Sequence, residues 1–170
     1  MKKTEYITKM GVMLAMLCAL SFMESKICAA FPYGIRIGLA NVVIMLCLFS
    51  VNFKSAFTLS VLKSAFVFAT RGVTAFFMSL SGGVLSILAV LLLLKIKKPS
   101  IMLCSVGGAV VHNLAQLCVC ALILKSIYAF FYAPVLIIAG VIAGTLTGGC
   151  ICAAQKSVKL HKDLTTNQRG

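Results

Sequence analysis

The fifth apolar run of the sequence holds three hydrogen-bonding side chains, His112, Asn113 and Gln116, within AVVHNLAQLCVC (109–120). A buried polar group without a partner costs roughly 2–7 kcal/mol in a fully apolar medium, so these groups are expected to bind something. In a helix His112 and Gln116 share one face, about 6 Å apart along the axis. They could bind a ligand or join helices. Because interhelical hydrogen bonds in membranes average only about 0.6 kcal/mol, we favour the ligand.

Further polar side chains interrupt the other apolar runs and are candidates for the same site. They are Glu24, Asn41, Lys63, Arg71, Ser79 and Ser81. Lys63 lies halfway along its run, and Arg71 ends that run on the predicted external side. Lys63, Arg71 and Arg36 could pair with a carboxylate or a phosphate. The sequence therefore predicts a pocket, open to the outside, for a small anionic or amphipathic metabolite.

The scarcity of acids excludes several kinds of chemistry. The chain has only three, Glu5, Glu24 and Asp163, and none is expected in mid-membrane, where proton relays place them. Prenyl-diphosphate synthesis needs clustered aspartates for magnesium, and no phosphate-binding glycine loop for ATP is present. No acid is placed to orient His112, and the eight cysteines include no C-x-x-C pair. We therefore predict no catalytic residues, no metal site, no cofactor and no enzyme activity of its own.

The composition indicates an integral membrane protein. The chain is 61% hydrophobic and 11% charged, whereas soluble domains carry about 25% charged residues. Continuous apolar runs predict an all-α bundle of six transmembrane helices within residues 1–155. The predicted spans are about 7–23, 35–51, 55–70, 73–94, 101–124 and 128–154. The basic polar tail, 156–170, is expected to fray or to lie on the membrane surface.

The basic residues predict the orientation of the chain. With the N-terminus inside, 11 of the 16 lysines and arginines flank the cytoplasmic ends of the spans. This bias indicates a multi-pass protein of the cell membrane with both termini in the cytoplasm. Because the charges lie at span ends, the net charge of +13 does not indicate nucleic-acid binding. An alternative is a signal peptide cleaved near Ala29 or Ala30, which would leave five spans.

Two runs carry a small residue at every fourth position. Gly11, Ala15 and Ala19 lie in the first, and Gly140, Gly144 and Gly148 lie in the last. Such faces allow helices to approach closely in a membrane. The pattern leaves open whether each face packs inside the chain or against a partner subunit.

Three segments carry a family resemblance: GIRIGLANVVIML, SLSGGVLSIL and GGAVVHNLAQL. In this order they resemble the Gx transporter family, also labelled heptaprenyl diphosphate synthase component I, over about residues 8–155. That family is similar to the substrate-binding S components of energy-coupling factor (ECF) transporters. The resemblance implies a six-helix bundle in which Ala15 and Ala19 contact a transmembrane coupling subunit, with ATPase subunits in other chains. It also implies an alternative function, a non-catalytic scaffold of an isoprenoid-related, quinone-related or flavin-based electron-transfer complex.

Overall fold

The computed structural model describes residues 3–28, 38, 40–96 and 99–167, and these form helices without any strand. A six-residue 3₁₀ helix, Ile127–Tyr132, leads into the last α-helix. The α-helices are α1 (Lys3–Cys28), α2 (Asn41–Ser50), α3 (Phe53–Arg71), α4 (Val73–Lys95), α5 (Ile101–Leu124) and α6 (Ala133–Asn167). The predicted all-α class is confirmed.

Local sequence signals set the ends of the central helices. The Asn52 side chain accepts a hydrogen bond from the Ser55 backbone N–H at 2.8 Å and caps the start of α3. Ser100 caps α5 in the same way, through the Leu103 N–H at 3.1 Å. Such caps satisfy donors that the first turn of a helix leaves unpaired. Gly72, at φ +83°, separates α3 from α4, because only glycine adopts that backbone conformation without strain.

Four of the described helical segments are long and apolar enough to cross a membrane. They are Lys3–Lys26, Val73–Lys95, Ile101–Leu124 and Ile127–Lys156. Helix α2 has 10 residues, about 15 Å at 1.5 Å per residue, which is half of a bilayer core. The first part of the second predicted span, including Arg36, lies outside the described residues. Helix α6 continues to Asn167, which lies within the segment 156–170 that the sequence predicts to be a basic polar tail.

Helix α5 lies in the middle of the bundle, packed against α4 on one side and α6 on the other. One apolar cluster joins α1 to α4, with Leu17, Ile44, Leu59 and Ile87 at its centre. Large apolar side chains also cover the outside of the bundle, where they suit lipid rather than water. This arrangement leaves the polar groups of α3, α4 and α5 facing inward.

The glycine face of α6 packs within the chain. A Cβ added at Gly144 would lie 2.5 Å from the Cα of Val106 on α5, and one at Gly140 would lie 3.0 Å from the Cα of Val110. The two backbones therefore approach too closely for any side chain between them. By contrast, Gly11, Ala15 and Ala19 on α1 are all exposed.

Candidate functional site

Two small polar cavities flank His112, whose side chain is 2% exposed. The basic cavity is lined by Ser21, Glu24, Lys63, Val67, Arg71, Ser79, His112 and Gln116. The amide cavity is lined by Gly38, Asn41, Ser105, Ala109, His112, Asn113, Ala143 and Thr147. Each has a volume of about 10 Å³, which is roughly the space that one water molecule needs.

Helical periodicity brings the basic cavity together. Lys63, Val67 and Arg71 follow one another at four-residue steps and form one face of α3. His112 and Gln116 form the facing wall on α5 by the same spacing. On α1, Ser21 and Glu24 form another wall. They are three residues apart, a spacing that also places two side chains on one face of a helix. Ser79 of α4 completes the lining, so the site depends on the packing of four helices rather than on a loop.

The polar groups of α5 are held by short hydrogen bonds. The side-chain nitrogen of Gln116 lies 2.9 Å from Nε2 of His112, so an amide N–H donor there requires Nε2 to be the unprotonated ring nitrogen. Asn113 donates from Nδ2 to the backbone carbonyl of Leu136 at 2.9 Å. That bond joins α5 to α6, which is the helix-joining role that the sequence left open for this residue.

Helix α4 makes room for the imidazole ring at a glycine. A Cβ at Gly82 would lie 2.9 Å from the His112 ring atoms Cε1 and Nδ1 and 3.0 Å from Cγ of Gln116. Such contacts are shorter than van der Waals separation, so a larger residue would displace the ring. Gly82, the first glycine of SLSGGVLS, therefore helps to position His112 and Gln116, whereas Gly83 lies against Ser60.

Two charged residues of the basic cavity, Arg71 and Glu24, are held by hydrogen bonds to backbone groups. Arg71 donates from Nη2 to the carbonyl of Ser21 at 2.6 Å. The Glu24 carboxylate accepts hydrogen bonds from the backbone N–H groups of Gly38 at 2.9 Å and Ala40 at 3.5 Å, just before α2 begins. Negative charge is favourable at a helix N-terminus. Glu24 thus fastens α1 to the start of α2 while its side chain remains part of the cavity wall.

The lining carries an excess of positive charge. Two cations, Lys63 and Arg71, face one carboxylate, Glu24. Lys63 is 5% exposed and Glu24 is 4% exposed. Because buried charge is costly to desolvate unless it is balanced, a bound anion would bring the described lining to neutrality. No group of three or more metal-ligating side chains occurs in the described part of the chain.

Eight of the nine predicted binding residues line one of the two cavities. Ser81 does not: it is half-buried and donates to the carbonyl of Met78 at 3.1 Å. The sequence interpretation missed Ser21, Ser105 and Thr147. Ser105 lies seven residues before His112, two helical turns away on the same face, so periodicity contained the signal. The sequence interpretation also predicted a single pocket, whereas the structure has two cavities, one on each side of His112.

Fold and site together define a helical membrane protein with one neutral and one positively charged polar cavity inside an apolar bundle. The chain belongs to the heptaprenyl diphosphate synthase component I family, whose family model matches residues 13–154. That range contains every residue of both cavities, and the family name implies a second, partner component. No curated protein and no solved structure matches the chain.

Proposed function

We propose that this protein is a substrate-capturing membrane subunit of an ECF-type importer, and that it binds a small anionic or amphipathic metabolite from the external side. In this proposal residues 1–155 form six spans in the cell membrane, with both termini in the cytoplasm. One observation carries it: the basic cavity, where Lys63, Arg71 and His112 converge from two helices inside an apolar bundle.

The chemistry of the lining supports an anion. Lys63 and Arg71 would hold a carboxylate or phosphate through charge-assisted hydrogen bonds, which are about twice as strong as neutral ones. Gln116 and Ser79 add neutral polar groups beside the cations. A bundle that only joined its helices would not need two cations and one acid in one buried cavity, because each buried charge raises the cost of folding.

Binding requires the cavity to enlarge. At about 10 Å³ it holds no metabolite, and ligand sites are usually hundreds of Å³. Helix α1 is the wall that can move, because few of its contacts are internal. Only 11% of its most apolar 18-residue stretch is buried, against 44% of the corresponding stretch of α5. Displacing α1 with Ser21 and Glu24 would expose Lys63 and Arg71. The proposal thus assigns α1 the role of the opening element.

The test is mass spectrometry of small molecules retained by the gently purified protein. The wild type is expected to retain an anionic molecule, and Lys63→Gln to lose it at least tenfold, since a charged hydrogen bond contributes about 1.5–3 kcal/mol. Lys63→Arg keeps the charge and should retain it in part. Lys125→Gln, an exposed lysine outside both cavities, is the matched control. Equal retention by wild type and Lys63→Gln would overturn the site.

Transport would also need partners. The exposed α1 face, Gly11, Ala15 and Ala19, would contact a transmembrane coupling subunit, and ATPase subunits in other chains would supply the energy. Nothing in this chain provides an ATP-binding loop. The proposal is therefore a binding subunit rather than an autonomous transporter or enzyme.

A second candidate is a non-catalytic scaffold subunit. The family name favours it, because a component I implies a synthase with another component. The bond from Asn113 to the Leu136 carbonyl is also what a helix-joining role requires. In this case the α1 face would bind the second synthase component, or redox proteins of the membrane, and no solute would be retained. The partner bound by α1 separates the two candidates.

A further inference from the structure

The amide cavity contains two polar atoms whose hydrogen-bonding capacity is unused. Asn41 Oδ1 and Ser105 Oγ are buried and have no hydrogen-bond partner among the described residues. Their side chains are 5% and 1% exposed. Leaving a buried polar group unsatisfied costs about 1–3 kcal/mol. Both residues line the same cavity, although they lie on different helices, α2 and α5.

The cavity selects its occupant by size and charge. Its volume of about 10 Å³ fits one group the size of a water molecule. Its described lining contains no lysine, arginine or acid, and the oxygens of Asn41, Ser105 and Thr147 are neutral. A multivalent cation would have no carboxylate to balance it there, and an anion no cation. A neutral hydrogen-bonding group satisfies both Asn41 Oδ1, which can only accept, and Ser105 Oγ.

We propose that the amide cavity is a binding subsite for one neutral O–H group, donated to Asn41 Oδ1 and hydrogen-bonded to Ser105 Oγ. Two sources share this chemistry. A water molecule can occupy the subsite in the empty protein, and a hydroxyl of the captured solute can replace it. The second source rests on the proposed function. It makes the substrate a hydroxylated anion, with its charge in the basic cavity and its hydroxyl beyond His112, the residue common to both linings.

The first experiment tests the subsite without any ligand, by thermal unfolding of the detergent-solubilised protein. Ser60 is the matched control, because its Oγ is also buried and without a described partner, yet it lines neither cavity. Removing an unsatisfied hydroxyl is neutral or stabilising, whereas removing a satisfied one is destabilising. Ser105→Ala is therefore expected to lower the melting temperature by about 2 °C or more, and Ser60→Ala to leave it unchanged or higher. The same response in both variants overturns the subsite.

The second experiment distinguishes the sources with two probes, glycerol 3-phosphate and n-propyl phosphate, titrated calorimetrically into the wild type. Occupancy by a solute hydroxyl predicts that the first binds at least about tenfold more tightly, and that Ser105→Ala removes this advantage. Equal binding, with Ser105→Ala still destabilised, assigns the subsite to water. If neither phosphate binds, the basic cavity is not a phosphate site, while the Ser105 and Ser60 comparison still decides the subsite.

Discussion

Two helices of this bundle carry a small residue at every fourth position, and the structure uses the two faces differently. On α6, Gly140 and Gly144 lie directly against the α5 backbone. On α1, the equivalent face is exposed, and a Cβ at Gly11 would meet nothing within 4 Å. The same spacing thus marks an internal contact in one helix and an open surface in the other. The spacing of small residues indicates that another helix can approach closely. Only the packing shows whether that helix belongs to the same chain.

The difference divides the bundle into a fixed part and a loosely held helix. The α5–α6 contact fixes the backbone beside Ser105, and Asn113 adds a hydrogen bond to the Leu136 carbonyl. In lipid such contacts depend on van der Waals packing and interhelical hydrogen bonds. Helix α1 is attached to the site by Glu24 and by the Ser21 carbonyl, and elsewhere by the buried Leu17 and by a hydrogen bond between Tyr6 and Ser55. A helix that buries so little of its surface, 11% of its most apolar stretch, suits both a moving wall and a partner surface.

The largest expected effect is a loss of stability when a residue on the glycine face of α6 is enlarged. Gly144→Leu would place side-chain atoms where the Cα of Val106 already lies 2.5 Å from the position of a Cβ. Because backbone cannot rotate away as a side chain can, we expect a loss of stability of about 3 kcal/mol or more, at the upper end for overpacking, or no folded protein. Thermal unfolding in detergent and the yield of monodisperse protein measure this. Ala15→Leu, the same kind of enlargement on exposed α1, should fold normally. Equal stability of the two variants would remove the distinction between the faces.

The next effect concerns the partner of α1. Ala15→Leu is expected to lose subunits that co-purify with the wild type from native membranes, because a leucine prevents the close approach that a small residue permits. Cys150→Leu, an exposed small residue on α6, controls for a general surface effect. Loss of ATPase and coupling subunits would support the importer, and loss of a second synthase component would support the scaffold. If both variants co-purify with the same subunits as the wild type, this face of α1 is not the interface.

Much of the architecture follows from the sequence, because the signals are local. Spans 73–94 and 101–124 differ from α4 and α5 by at most one residue, since apolar length and the residues Gly72 and Ser100 define them. The sequence predicts a second span at 35–51, whereas α2 is Asn41–Ser50, because apolar composition alone does not indicate where that helix begins. The six spans and their orientation remain predictions.

The sequence predicts most residues of the candidate site, but it does not predict that they line two separate cavities. Burial cost identifies polar residues in apolar runs, and this criterion named His112, Lys63 and Asn41. It could not show that Lys63 and Asn41 line different cavities, because that depends on how α2 and α3 pack around α5. Ser105 and Ser21 were missed because a serine in an apolar run is common and usually bonds to its own helix; the sequence could not show that Ser105 Oγ lacks such a bond among the described residues.

The smallest expected effect compares single methyl groups on the two faces. Gly11→Ala adds a methyl to open space on α1 and should stabilise the isolated protein by about 0.5–1 kcal/mol, because alanine restricts the unfolded chain and favours helix. Gly140→Ala adds the same methyl 3.0 Å from the Cα of Val110 and should destabilise, despite the same gain in helix propensity. Melting temperatures of both variants therefore move in opposite directions. A decrease for Gly11→Ala in the purified chain would mean that α1 already packs its small-residue face against another copy of the protein.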